Sequence, residues 1–263
     1  MFPDLIDIGF LHVKTYGACM AIGFILCWSL IERLSGRKDL SNLVFSLLVS
    51  GVVGSRIAYV IEHWQAEFAA RPASIIRIDQ GGLMFYGGLL LSIVVFFVWC
   101  GLKREHPLRL ADLFCTVIPL GHACGRIGCF FYGCCYGRLS ESPVAVAFPS
   151  HSPAWYEQVH AGLIGATATE PLHVLPTQLF ESAALLVLFA VLIFLRRKVV
   201  AFPGVLSGVY LVGYAILRFG MEYLRGDPRA AVGPFSISQT ISLGMMVLGG
   251  MLIAYGKCAR HHR

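Results

Sequence analysis

Leu83 to Leu102 reads LMFYGGLLLSIVVFFVWCGL, twenty residues without a charge. A helix rises 1.5 Å per residue, so about twenty apolar residues cross the ~30 Å hydrocarbon core of a bilayer. The stretch predicts a transmembrane helix, and six similar runs lie around it. Upstream are Thr15 to Ile31, uncharged, and Leu40 to Ile61, interrupted only by Arg56. Downstream are Leu110 to about Tyr132, carrying Asp112, His122 and Arg126, and Thr177 to Leu195, with Glu181 near its start. Gly204 to Leu224 holds Arg218 and Glu222 near its end, and Ile237 to Gly256 is uncharged. The expected fold class is all-α integral membrane, with about seven transmembrane helices in a single polytopic domain over residues 1–263.

Composition agrees. Of the 263 residues, 57% are hydrophobic and only 14% are charged, whereas soluble domains carry about 25% charged residues. A charge at the bilayer centre costs roughly 2.5–3.5 kcal/mol even on the lenient insertion scale, which explains the deficit. The net charge of +6 sits in short clusters between apolar runs, with no aromatic-interleaved basic patch, so no nucleic-acid partner is expected. Twelve Lys and Arg fall on one side of the runs: Arg33, Arg37, Lys38, Lys103, Arg104, Arg109, Arg196, Arg197, Lys198, Lys257, Arg260 and Arg263. Six fall on the other: Lys14, Arg71, Arg77, Arg138, Arg225 and Arg229. Positive loops stay inside, so the N-terminus is expected outside and the C-terminus in the cytoplasm. Asp4 and Asp7 stand where a cleavable signal peptide would need positive charge, so none is expected.

Two outside segments exceed a turn. Glu62 to Gly82 reads as an amphipathic interfacial stretch, with Trp64 and Phe68 one turn apart. Residues 137–176, rich in Pro, Ser, Ala and His, read as a small extracytoplasmic cap inserted between helices four and five. Six of the nine cysteines lie in or beside apolar runs and read as packing residues. Their spacing never forms the paired CxxC of a zinc or redox site.

Ionisable residues inside a membrane are the best functional signal in such a chain. Arg56, Arg126 and Arg218 all fall toward the outside ends of their helices. Each alone can be a snorkelling side chain. Three at one depth favour a shared anion site, because guanidinium forks match phosphate bidentately and keep their charge. A phospholipid headgroup is the natural anion at that depth. Arg218, Glu222 and Arg225 follow i, i+4, i+7 spacing, and Tyr214 extends the face by a turn. Such a pair can neutralise itself, or Glu222 can orient Arg218 toward a ligand. His122 and Arg126 share a face at i, i+4, where the imidazole is either an interhelical hydrogen-bonding group or a base. Gln178 and Glu181 follow Pro176, as helix-start residues or as ligand contacts. Gly81-Gly82 and Tyr86-Gly87-Gly88 allow backbone to approach a ligand or another helix.

Taken in order, these segments resemble the bacterial prolipoprotein diacylglyceryl transferases nearly end to end. The resemblance is carried by Tyr16-Gly17, by Gly54 to Tyr59 around Arg56, by Tyr86-Gly87-Gly88-Leu89, and by Gly125 to Phe130 and on to Gly137. Pro176 to Glu181, Tyr214 through Arg218, Glu222, Arg225 and Asp227, and Phe235 to Gln239 complete it. Tyr86 stands where the family usually has histidine, Cys129 where it has asparagine, and Cys134, followed by Cys135, where it has an acidic residue.

The resemblance implies a membrane enzyme of the bacterial inner membrane. It moves a diacylglyceryl group from phosphatidylglycerol to the lipobox cysteine of a prolipoprotein signal peptide, releasing glycerol phosphate. Its partners are then phosphatidylglycerol, prolipoprotein signal peptides and membrane lipid, and no metal or soluble cofactor is expected. The expected catalytic residues are Arg126, Arg218, Tyr86, His122 and Glu222. Tyr16, Arg56, Gly87, Gly88, Gly137, Gln178, Glu181, Tyr214 and Arg225 are expected to bind substrate. His122, with an ordinary pKa near 6.5, is the expected acceptor of the thiol proton, and Tyr86 positions the lipid. Phosphate or Glu222 is the competing acceptor. Other readings are a non-catalytic phosphatidylglycerol-binding paralogue, a transferase with a different acceptor, a lipid transporter, and a redox or metal protein using Cys124, Cys129, Cys134 and Cys135. No internal repeat supports the transporter.

Overall fold

The structure is a computed structural model and describes residues 4–8, 11–69, 71–77, 81–169, 171–199, 202–226 and 231–261. Asp227, Arg229 and Arg263 lie outside the described residues. A hairpin of β1 (Asp4–Ile8) and β2 (Leu11–Lys14) leads into α1 (Thr15–Ser35), α2 (Leu40–Glu62), α3 (Phe85–Lys103) and α4 (Pro107–Tyr132). A short α5 (Pro153–His160) precedes α6 (Thr177–Val199) and α7 (Val205–Glu222). A two-residue hairpin, β3 (Ala231–Val232) and β4 (Phe235–Ser236), opens α8 (Ile237–His261). Among the described residues, seven helices, all but α5, are long and apolar enough to cross a bilayer. The chain is an all-α, multi-pass membrane protein. Ile25, Phe97, Val187 and Val247 remain exposed on these helices, as apolar side chains facing lipid tails do.

The helix ends follow local chemistry. α3 starts at Phe85 rather than Leu83 because Gly81 and Gly82 adopt φ of +87° and +75°, outside the helical region. α6 and α8 run past their apolar runs through Arg196-Arg197-Lys198 and Lys257, since basic side chains suit a helix C-terminus. α7 is capped from another helix. Buried Asp112 of α4 accepts the Gly204 N–H at 2.7 Å through one oxygen, and the Ser207 N–H and hydroxyl, each at 2.7 Å, through the other. At the start of α8, the Ser236 hydroxyl accepts the Gln239 N–H at 3.2 Å, while Gln239 Oε1 accepts the Ser236 N–H at 3.0 Å. This reciprocal capping box is a physical reason for Ser and Gln at that spacing.

The chain forms two compact units, residues 31–110 and residues 1–30 with 111–263. In the first, α2 and α3 cross on glycine. A Cβ on Gly87 would collide with the Gly54 carbonyl and Ala58, and one on Gly88 with the Gly51 carbonyl and Ser55. Close backbone approach replaces side-chain burial where lipid removes the hydrophobic drive between helices. Between these helices, Glu62 to Gly82 departs from an amphipathic stretch. Trp64–Phe68 is a single π turn and Pro72–Ile76 a 3-10 turn. Phe68 is buried while Trp64 is exposed, so the two aromatics do not share a face.

In the second unit, α1 and α4 meet where Gly23 faces Gly121 and Gly128 faces Tyr16 and Cys19. The Ser182 hydroxyl of α6 bonds the Ala123 carbonyl of α4 at 3.1 Å. Residues 137–176 pack around Tyr136, Phe148, Ala154 and Val174. Gln158 closes this segment by donating to the Leu172 carbonyl at 3.0 Å and accepting its N–H at 2.9 Å.

Candidate active site

The second unit gathers charged side chains from α4, α6 and α7 at the helix ends nearest residues 133–176 and 223–236. Arg126 Nη2 lies 3.0 Å from Glu181 Oε1, and both side chains are largely buried, at 15% and 1% exposure. One turn earlier on α4, His122 Nε2 lies 3.9 Å from the same Glu181 oxygen. Its ring centroid sits 5.3 Å from that of Tyr214. At 3.9 Å the imidazole and carboxylate are neighbours rather than hydrogen-bonded partners. Arg218 Nη2 contacts Glu222 Oε2 and the Ser238 hydroxyl of α8, each at 2.8 Å, and lies close enough to His122 and Tyr214 for their charges to interact.

Each arginine therefore carries its own carboxylate, so these four charges sum to zero. What they offer an anion is oriented donors. Among the described residues, Arg126 Nε and Arg218 Nη1 are buried and have no hydrogen-bond partner. A buried N–H left unpaired costs about 1–3 kcal/mol, and more on a charged group. These two atoms are donors open to an acceptor.

The surrounding residues tie the network to the loop after α4. Gln178 Nε2 donates to the Cys134 carbonyl at 2.8 Å, and the Thr177 hydroxyl to the Cys135 carbonyl at 3.0 Å. Among the described residues, Gln178 Oε1 is buried without a partner. Gly137 threads between Leu175, Thr177 and the Leu224 carbonyl, each 2.7 Å from a Cβ built on it. Its N–H bonds the Leu175 carbonyl at 2.8 Å, and it bridges Arg225. Gly137 thus serves close chain packing at this point. Tyr16, at the start of α1, packs against Gly128, and its ring lies 6.5 Å from that of Tyr132. The Cys129, Cys134 and Cys135 sulfurs lie within 4.8 Å of one another.

Arg56, Tyr86, Gly87 and Gly88 belong to the other compact unit. Arg56 gives all of its N–H donors to carbonyls there. Nε bonds Ile75, Nη1 bonds Gly81 and Gly82, and Nη2 bonds Ser74 and Arg77, at 2.8–3.1 Å. An arginine has five donors, so none remains for a phosphate. The side chain is a cross-link that ties residues 74–77 to Gly81 and Gly82, with its guanidinium 5.6 Å over Tyr59 and 5.3 Å over Phe68. The reading of Arg56 as part of a shared anion site therefore gives way to a structural role. Gly87 and Gly88 approach α2, the second of the two readings open for them. Tyr86 is 56% exposed and packs edge-on against Phe85.

Comparison with known proteins bears on this constellation. The family model described as prolipoprotein diacylglyceryl transferase matches residues 3–255. The chain belongs to that family. It is 33% identical to the phosphatidylglycerol–prolipoprotein diacylglyceryl transferase of Pseudoalteromonas translucida, over 95% of this chain and 91% of that protein. It is 34% identical to the enzyme of that name from Aliivibrio fischeri strain ES114, covering 95% and 87%, and 30% identical to that of Vibrio atlanticus, covering 99% and 93%. In this family member, Arg126, Glu181, Tyr214, Arg218 and Glu222, all from segments that carried the sequence resemblance, gather around His122. Ser238, which accepts from Arg218, is a site residue that sequence reasoning missed, although it lies in the resembling segment Phe235 to Gln239.

Proposed function

We propose that this protein transfers the diacylglyceryl group of phosphatidylglycerol to the lipobox cysteine thiol of prolipoproteins in the bacterial inner membrane. Family membership over nearly the whole chain supports the reaction. The observation that carries the site is the pair of buried, unpartnered donors Arg126 Nε and Arg218 Nη1. In the reaction, the cysteine sulfur attacks the diacylglyceryl methylene carbon. A C–S bond forms, the C–O bond to phosphate breaks, and the electron pair leaves with glycerol phosphate. The phosphodiester carries one negative charge, and the departing monoester approaches two. Guanidinium donors that meet the phosphate therefore bind the transition state more strongly than the ground state, and this difference is what accelerates chemistry. Glu181 and Glu222 hold the two guanidiniums in orientation before substrate arrives.

The thiol must lose its proton, since the thiolate is the nucleophile. His122 is assigned that proton because its ring lies within the Arg126–Glu181–Tyr214–Arg218 network. Gln178, Tyr214, Arg225 and Tyr16 are assigned to the substrate cleft, and Tyr86 to lipid positioning. The N-terminus lies outside and residues 137–176 form an extracytoplasmic cap, a reading supported by the loop charges, twelve against six. Complementation of a strain depleted of its own transferase tests the proposal. Restored growth with lipidated lipoproteins is expected, and failure of a well-inserted protein to restore lipidation would overturn it.

A further inference from the structure

We propose that Cys129, Cys134 and Cys135 form a binding site for one soft, thiophilic metal ion of the zinc and cadmium class. Their sulfur atoms all lie within 4.8 Å of one another. Metal–sulfur bonds of about 2.3 Å place three ligand sulfurs roughly 3.8–4.0 Å apart at tetrahedral or trigonal angles. The cluster thus needs only small side-chain rotations to close on an ion. A disulfide would instead need two sulfurs at ~2.05 Å and would leave the third thiol over.

The spacing Cys-x4-Cys-Cys is not a familiar zinc pattern, yet the backbone explains the convergence. α4 ends at Gly133, whose φ is +81°. The Cys134 N–H bonds the Cys129 carbonyl at 3.2 Å, and the Gly133 N–H bonds the Phe130 carbonyl at 3.3 Å. This is the Schellman arrangement, which sets the side chain two residues past the helix against the one in its last turn. Those residues are Cys134 and Cys129. Cys135 then takes φ of +63°, uncommon without glycine, and this turns its sulfur back to the other two. Strain of that kind is maintained where surrounding contacts over-determine it. Here Thr177 and Gln178 pin the Cys135 and Cys134 carbonyls.

The charge balance also fits. Three thiolates on a divalent ion leave one net negative charge. Arg126, three residues before Cys129 on α4, shares its helix face and brings positive charge to that side. Three protein ligands leave a fourth position for water, the pattern of an open site rather than a closed structural one.

The test uses the full chain in detergent, reduced, stripped with a chelator and then titrated with cadmium chloride. One cadmium per chain should bind, read by the thiolate-to-metal charge-transfer absorbance, and zinc should displace it. Bound cadmium should protect these three cysteines, and not Cys258, from alkylation followed by mass spectrometry. Cys129→Ser, Cys134→Ser and Cys135→Ser should each weaken binding about 100-fold or more, because losing even an outer-sphere partner of a ligand costs ~10–100-fold. Cys258→Ser should bind normally. No saturable one-to-one binding, or unprotected alkylation of all three in the unmutated chain, would overturn the proposal. So would a disulfide among them that forms in preference to metal binding.

Discussion

Replacing Arg126 removes two things that can be measured separately. The first is the partner of Glu181, a carboxylate 1% exposed and 3.0 Å away. Stranding a buried charge costs about 3–5 kcal/mol of stability. The second, under the proposed mechanism, is a donor to the departing phosphate, and removing a preorganised donor of this kind costs about 2.7–4 kcal/mol in the transition state, or roughly 10²–10³ in rate. Arg126→Ala should therefore lose both stability and turnover. Arg126→Lys keeps a charge for Glu181 but loses the fork, so it should unfold near the wild-type temperature and still turn over about 10²-fold more slowly. Arg126→Ala combined with Glu181→Gln should recover most of the stability and little of the rate relative to Glu181→Gln alone. The assay is the initial rate of diacylglyceryl transfer to a lipobox peptide, normalised to folded protein from thermal denaturation in detergent. Near-normal turnover in Arg126→Lys, or in the double variant relative to Glu181→Gln, would mean that Arg126 only neutralises its glutamate.

Three further outcomes are expected. His122→Gln should abolish the acid limb of the pH–rate profile while Tyr86→Phe keeps it; an unchanged limb in His122→Gln would move the proton to phosphate or Glu222. Arg56→Lys should make residues 74–82 much more sensitive to limited proteolysis, because one ammonium cannot replace five hydrogen bonds to carbonyls; unchanged cleavage would remove its cross-linking role. A topology reporter fused after Gly256 should read cytoplasmic and one near Ser150 extracytoplasmic, with the reverse pattern overturning the orientation.

The spans were legible because charge is excluded from hydrocarbon, and a run such as Leu83 to Leu102 can satisfy its backbone only as a helix. Helix ends were less so, because the partners are distant in sequence. Asp112 caps α7 across about ninety residues. Arg126 and Arg218 were recognisable as candidates from their depth, but the pairing of Arg126 with Glu181 depends on how α4 and α6 pack. Arg56 looked identical to them in sequence. Its difference lies in five carbonyls of a loop with no distinguishing composition. The cysteine cluster did have a readable signal, a glycine ending α4 with cysteine on either side of the stop, and spacing rules for metal sites pass over it.

The most direct measurement is reconstitution of the purified chain in phosphatidylglycerol vesicles with a lipobox peptide, followed by mass spectrometry of peptide and soluble products. A diacylglyceryl thioether on the peptide cysteine, with glycerol phosphate released in equal amount, is the expected result. An unmodified peptide beside an inserted protein that still binds phosphatidylglycerol would contradict transfer and leave a lipid-binding paralogue.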